Sequence, residues 1–99
     1  MEDIFYFEYG QNRRVKLVAT TGTWYLSSSM KSLEKQMESY GFLVPHKSFL
    51  VNPRQILSFG AEIQMKNHEM IPIAKNRRKQ VHEQISAYLH NSLNINWRD

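Results

Sequence analysis

The stretch Phe42-Leu43-Val44-Pro45-His46-Lys47-Ser48-Phe49-Leu50-Val51-Asn52 decides how this chain is read. Two apolar runs, Phe42 to Val44 and Ser48 to Val51, flank a polar break that opens with Pro45 and carries His46 and Lys47. Aromatic and β-branched side chains suit a pleated, half-buried surface, so each run reads as a short strand. Gly41 precedes the first run, Pro45 is expected to cap it, and Asn52-Pro53 ends the second. These are turn-forming residues at the positions where strands must stop.

Strand signals also dominate upstream. Ile4, Phe5, Tyr6, Phe7 and Tyr9 form an aromatic run that stops at Gly10-Gln11-Asn12. From Arg14 to Thr20, Val15, Leu17 and Ala19 alternate with Lys16 and Val18, the period of a strand. Thr21-Gly22 turns the chain into a third strand at Thr23 to Leu26, which suggests an antiparallel meander. The period then changes. Met30, Leu33 and Met37 fall on one helix face, Ser27 to Ser29 offer an N-cap, and Gly41 offers a stop.

Downstream of the quoted stretch, strands are predicted at 56–59, 63–66 and 70–73, with a turn at Asn67-His68-Glu69. Pro72 assigns the last of them to an edge or a bulge, because proline donates no ladder hydrogen bond. Val81, Ile85 and Leu89 predict a final helix, with Asn76 as its cap. Residues 91–99 are expected to form a polar tail that frays or folds back through Trp97. The fold class is mostly β with two short helices, in a single domain over 1–99 whose core spans about 3–90.

Composition narrows function. Thirteen Lys and Arg face nine Asp and Glu, a formal charge of +4. A basic surface attracts polyanions, though net charge alone fits equally a basic domain that binds nothing charged. There is no cysteine, which removes disulfides, Cys-zinc sites and thiol nucleophiles, and fits a reducing cytoplasm. No apolar stretch is long enough to span a bilayer, and MEDIFYFEYG lacks the pattern of a signal peptide.

Catalytic patterns fail one by one. His82-Glu83 opens like a zinc-protease helix, but Ser86 stands where the second histidine belongs. The four histidines are scattered, and the isolated glycines build no phosphate-cradling loop. No enzyme activity, metal or cofactor is expected.

The basic residues, by contrast, cluster at element ends: Arg13-Arg14, His46-Lys47, and the group Lys75, Arg77, Arg78 and Lys79. The plain alternative is that Arg13 and Arg14 solubilise a turn and that 75–79 is a solvated first helical turn. That turn is a costly place for cations, at about 0.3–1 kcal/mol per charge, because the helix dipole is positive there. Backbone N–H groups beside Lys and Arg at a helix start suit phosphate instead.

The quoted stretch resembles the most distinctive motif of the LytTR DNA-binding domains of bacterial response regulators, H-x-S-[aromatic]-[aliphatic]-V-N. Asp3 to Glu8 resembles that family's first strand, Ser29 to Glu34 its short helix, and Ile71 to Lys79 its I-P-V-S-R-like end. The resemblance implies an elongated fold of short antiparallel sheets. It also implies loops that enter successive major grooves at imperfect direct repeats in promoters. By position it places base contacts at Arg13 or Arg14, at Lys47 and at Lys75, and Arg14 is taken here as the reader in the first loop. Arg13, His46, Ser48, Arg77, Arg78 and Lys79 then hold phosphates. Some members carry His or Asn at the first two base-reading positions, so Arg and Lys here shift the preference toward guanine edges. Ala74 replaces a common serine, which removes one phosphate contact. The implied partners are duplex DNA and a receiver or other sensory domain in the full-length protein, with a dimer on DNA left open.

Two other readings remain at this point. Phe5, Tyr6, Phe7 or Tyr9 could stack on single-stranded nucleic acid if exposed. An edge strand could serve as a protein-interaction module.

Overall fold

The structure is a computed structural model describing residues 3–10 and 13–94. The meander predicted at the start is present as β1 (Ile4–Tyr9), β2 (Val15–Ala19) and β3 (Gly22–Leu26), followed by α1 (Met30–Met37). The quoted stretch supplies β4 (Leu43–His46) and β5 (Phe49–Val51). Then come β6 (Ile56–Phe59), β7 (Glu62–Met65), β8 (Met70–Pro72) and α2 (Arg78–Asn94). The first five strands form one antiparallel sheet in the order β3-β2-β1-β5-β4, and the last three form a second in the order β6-β7-β8. The radius of gyration, 13.6 Å, exceeds the roughly 12.6 Å of a compact domain of this length, as the 51 × 30 × 26 Å envelope requires.

Local chemistry explains most boundaries. The Ser29 hydroxyl accepts from the Ser32 N–H at 3.1 Å and caps α1. Gly41, at φ 77°, ends the 3-10 turn that follows α1. Pro72 sits in β8, an edge strand, as its missing donor demands. Pro45 behaves differently from the expectation that it would cap its strand: β4 continues through it to His46. The same rule explains this, because β4 is the outer strand of its sheet and the register slips between Leu43 and His46.

Three further expectations change. Asn76 does not cap the last helix; a 3-10 turn over Lys75–Arg77, headed by Ala74 without a side-chain cap, leads into α2 at Arg78. The helix does not yield to a tail at Asn91 but runs to Asn94, with no Gly or Pro there to stop it. Leu89 is exposed because α2 has by then passed the core. Residues 95–99, with Trp97, lie outside the described residues.

The five-stranded sheet is covered on both faces. One face packs Phe5, Tyr6, Val18, Leu43 and Val51 against Ile63, Met65, Ile71 and Ile73 of the second sheet and Val81 and Ile85 of α2. The other packs Phe7, Val15 and Leu50 against Leu33 and Met37 of α1. Strands buried on both faces lose the apolar–polar alternation of half-exposed ones. Tyr6 and Phe7 are therefore consecutive and both buried, one in each cluster, while the register irregularity between Ile4 and Tyr6 puts Phe5 in the same cluster as Tyr6.

Tyr6 links the two sheets. Its hydroxyl donates to Glu69 Oε1, on the β7–β8 turn, at 3.4 Å. Burial, then the nearby Glu69 and Glu8 carboxylates, push its pKa from 10 to about 12. The folded chain keeps this phenol protonated to higher pH than the unfolded chain does. Its contribution is therefore complete below pH 10 and is lost as pH rises from 10 toward about 12. Denaturant titrations should show stability falling across that window by roughly 2–3 kcal/mol more than in Tyr6→Phe, which has no phenol to ionise. Equal slopes in the two proteins would contradict this.

Candidate nucleic-acid interface

Strand pairing gathers the basic loops at one end of the large sheet. β1 pairs with β5, Glu8 opposite Phe49, and the Tyr9 N–H donates to the Ser48 carbonyl at 2.9 Å. The β1–β2 turn with Arg13 and Arg14 therefore lies beside the β4–β5 turn with Lys47. The Ala74 N–H donates to the Pro45 carbonyl at 2.8 Å, which brings Lys75 to that end too. Arg54 and Lys66 lie toward the opposite end, where the Lys66 N–H donates to the Gln55 carbonyl.

Each predicted residue can be placed. Arg13 and Arg14 are exposed in a turn closed by the Gly10 N–H on the Arg14 carbonyl at 3.0 Å. Arg13 holds a left-handed φ of 56°, a conformation that costs a non-glycine residue about 1–2 kcal/mol. Lys47 is exposed at the tip of a two-residue turn, with His46 paired to Phe49 below it. His46 is half-buried; its Nδ1 accepts the Ser48 N–H at 3.1 Å and its ring stands edge-on to Phe49 at 5.8 Å. An Nδ1 that accepts carries no proton, so Nε2–H is the donor of the neutral ring. Ser48 is half-buried, with its carbonyl engaged by Tyr9.

The third cluster divides. Lys75 and Lys79 are exposed. Arg77 is half-buried and donates through Nη1 to the Val44 carbonyl at 3.1 Å. Arg78 is half-buried, and its Nε is shielded from solvent with no hydrogen-bond partner among the described residues. Lys47 and Arg77 face the same cleft of about 340 Å³, walled by Glu34 of α1 and Gln80 and Gln84 of α2, and floored by Phe42 and Val44. Glu34, Gln80 and Gln84 were not singled out in the sequence. Each is an unremarkable polar residue on a helix, and only the packing of both helices along β4 gives them this address.

The burial pattern also decides a rival reading. Phe5, Tyr6 and Phe7 are 8%, 3% and 2% exposed, so none offers a face to a nucleobase; Tyr9 alone of that run is exposed. Among the described residues no group of three metal-capable side chains comes together, and no helix is long and apolar enough to cross a membrane.

Comparison with known proteins agrees with the geometry. No curated protein matches the sequence. Among solved structures, a LytTr DNA-binding domain of a putative methyl-accepting/DNA response regulator from Bacillus cereus superimposes with a TM-score of 0.75 at 19% identity. The match covers 84% of this chain and 81% of that one, and at this identity it establishes the fold. The family model for the LytTr DNA-binding domain matches residues 1–86, taking in both sheets, α1 and all three basic loops; the chain belongs to the LytTR family of DNA-binding domains.

Proposed function

We propose that this chain is the sequence-specific duplex-DNA-binding output domain of a bacterial transcriptional response regulator, a cytoplasmic and non-catalytic module within a single domain over 1–99. One observation carries the reading: three basic loops remote in sequence converge on one end of a rigid sheet. A two-residue β-turn is narrow enough for a major groove about 12 Å wide. The proposed base readers are Arg14, Lys47 and Lys75, whose exposed cations can reach guanine O6 and N7. Arg13, His46, Ser48, Arg77, Arg78 and Lys79 hold phosphates. The Nε2 edge of His46, left free by the Nδ1 bond to Ser48, suits that role as a directional donor. A receiver or other sensory domain is the proposed partner in a longer protein, and promoter direct repeats the proposed target.

The test is a gel-shift panel of promoter-like direct repeats against random duplex. A preference for repeats, with affinity falling steeply as salt rises, is expected because each neutralised phosphate releases counterions. Equal competition by every duplex would sink the reading. Within it, Arg14→Ala should cost about 1–3 kcal/mol at one base position. Lys79→Ala should weaken all sequences alike and flatten the salt slope by about 0.9. Identical behaviour of the two variants on every sequence would refute this division of roles.

A second reading draws on β3, the open edge of the large sheet, where Trp24 and Tyr25 are exposed. Strand addition there by another protein predicts no retention on heparin at moderate salt, whereas the DNA reading predicts firm retention.

A further inference from the structure

The three basic loops are not held in the same way. The β1–β2 and β4–β5 turns belong to adjacent strands of one sheet, joined by ladder bonds and by the Tyr9–Ser48 bond. The segment that carries Lys75 follows β8, in the other sheet. Two hydrogen bonds fasten it to β4: the Ala74 N–H on the Pro45 carbonyl, and Arg77 Nη1 on the Val44 carbonyl. The first is backbone chemistry that any residue at 74 other than proline can supply. The second depends on one side chain.

Two base readers discriminate only if their separation is held to about half an ångström. Lys47 lies three residues beyond Val44, and Lys75 lies two residues before Arg77. The Arg77–Val44 bond thus spans the two proposed readers at their bases. A guanidinium is planar and presents its donors in a fixed fork, so it sets a distance that a flexible ammonium does not. Half-burial of Arg77 beside Phe42 and Val44 further restricts its rotamers.

We propose that Arg77 is a positioning residue for DNA recognition, one that fixes Lys75 relative to Lys47 through the Val44 carbonyl and so determines sequence preference. This goes beyond a phosphate contact and rests on the DNA-binding reading. The two roles predict different outcomes. A phosphate holder strengthens binding to every duplex equally. A positioning residue acts on the difference between duplexes.

The experiment uses the full chain. A preferred duplex is first selected from a randomised pool with the unaltered protein. Its affinity is then measured against a random duplex of equal length for the unaltered chain, Arg77→Ala and Arg77→Lys. Amide hydrogen exchange at Ala74 is followed in the free proteins. The preference ratio should fall about fivefold or more in both variants, the lower end of what one good base contact contributes. Binding to random duplex should weaken in Arg77→Ala by about one cation's share of counterion release and less in Arg77→Lys, which keeps the charge. The Ala74 amide should exchange faster in both. Arg77→Lys also serves if Arg77→Ala folds poorly. A preference ratio unchanged in both variants overturns the role of Arg77 alone. So does a full rescue by lysine with Ala74 exchange unmoved, which marks a simple phosphate contact. An unaltered chain that selects no duplex over random overturns the DNA-binding reading itself, and this role with it.

Discussion

Asn52→Ala is expected to destabilise the fold by about 1–3 kcal/mol, measured as the loss of unfolding free energy in urea. Asn52 is fully buried. Its amide donates to the Ile4 carbonyl at 2.7 Å and its Oδ1 accepts the Arg54 N–H at 3.1 Å. Alanine leaves both backbone groups without these partners; Arg54 is exposed and its N–H can turn to water, so the penalty of about 1–3 kcal/mol falls mainly on the half-buried Ile4 carbonyl. A domain of this size has only about 5–15 kcal/mol in hand, so the variant should melt many degrees lower. Asn52→Asp separates the two bonds. It keeps the acceptor but removes the donor and buries a carboxylate, so it should be the less stable at neutral pH and recover partly in acid, as the carboxyl protonates. A loss below about 1 kcal/mol in Asn52→Ala would show that the site admits water or relaxes.

The second large effect concerns binding. Removing Lys47 and Lys75 together should cost up to about 6 kcal/mol on a preferred duplex, the limit set by two base contacts at about 1–3 kcal/mol each. Random duplex should lose far less, only the share of two cations in counterion release. The two sites are linked through the Arg77–Val44 bond, so their single-variant effects are expected to be non-additive. Fluorescence anisotropy on both duplexes for both singles and the double gives the whole cycle. If the preferred and random duplexes lose affinity in equal proportion, neither lysine reads bases.

The range of each interaction sets how much of the fold is visible in the sequence. The Ser29 cap, the Gly41 stop, the β1–β3 meander and the edge position of Pro72 are local matters of a few residues, and they were legible. The place of Pro45 inside a strand is not visible locally, because it depends on β4 lying outermost, which is set by β5 pairing with β1 rather than by its neighbours. Asn76 does not cap the helix because the turn starts earlier, at Ala74, whose N–H is bonded to the Pro45 carbonyl. For the site, the clustering of cations at loops was visible in the sequence, and the family resemblance ranked them. Their convergence was not visible, since it requires residues 9 and 48, and 45 and 74, to meet. The split between exposed Lys75 and tethered Arg77 was hidden for the same reason.

The strand order has a consequence for how the chain comes to fold. β1 lies at the middle of the large sheet, between β2, a short turn away, and β5, which begins only at Phe49. The β1–β3 meander can close early through local contacts. Its inner strand then waits for a segment some forty residues later, and closing so long a loop loses chain entropy before any contact compensates. Until β5 and the second sheet arrive, Phe5, Tyr6 and Phe7 face water on a bare hairpin. Closing the loop between β1 and β5 is thus the larger entropic cost in forming this sheet, and the motif that carries Lys47 is also the piece that completes it.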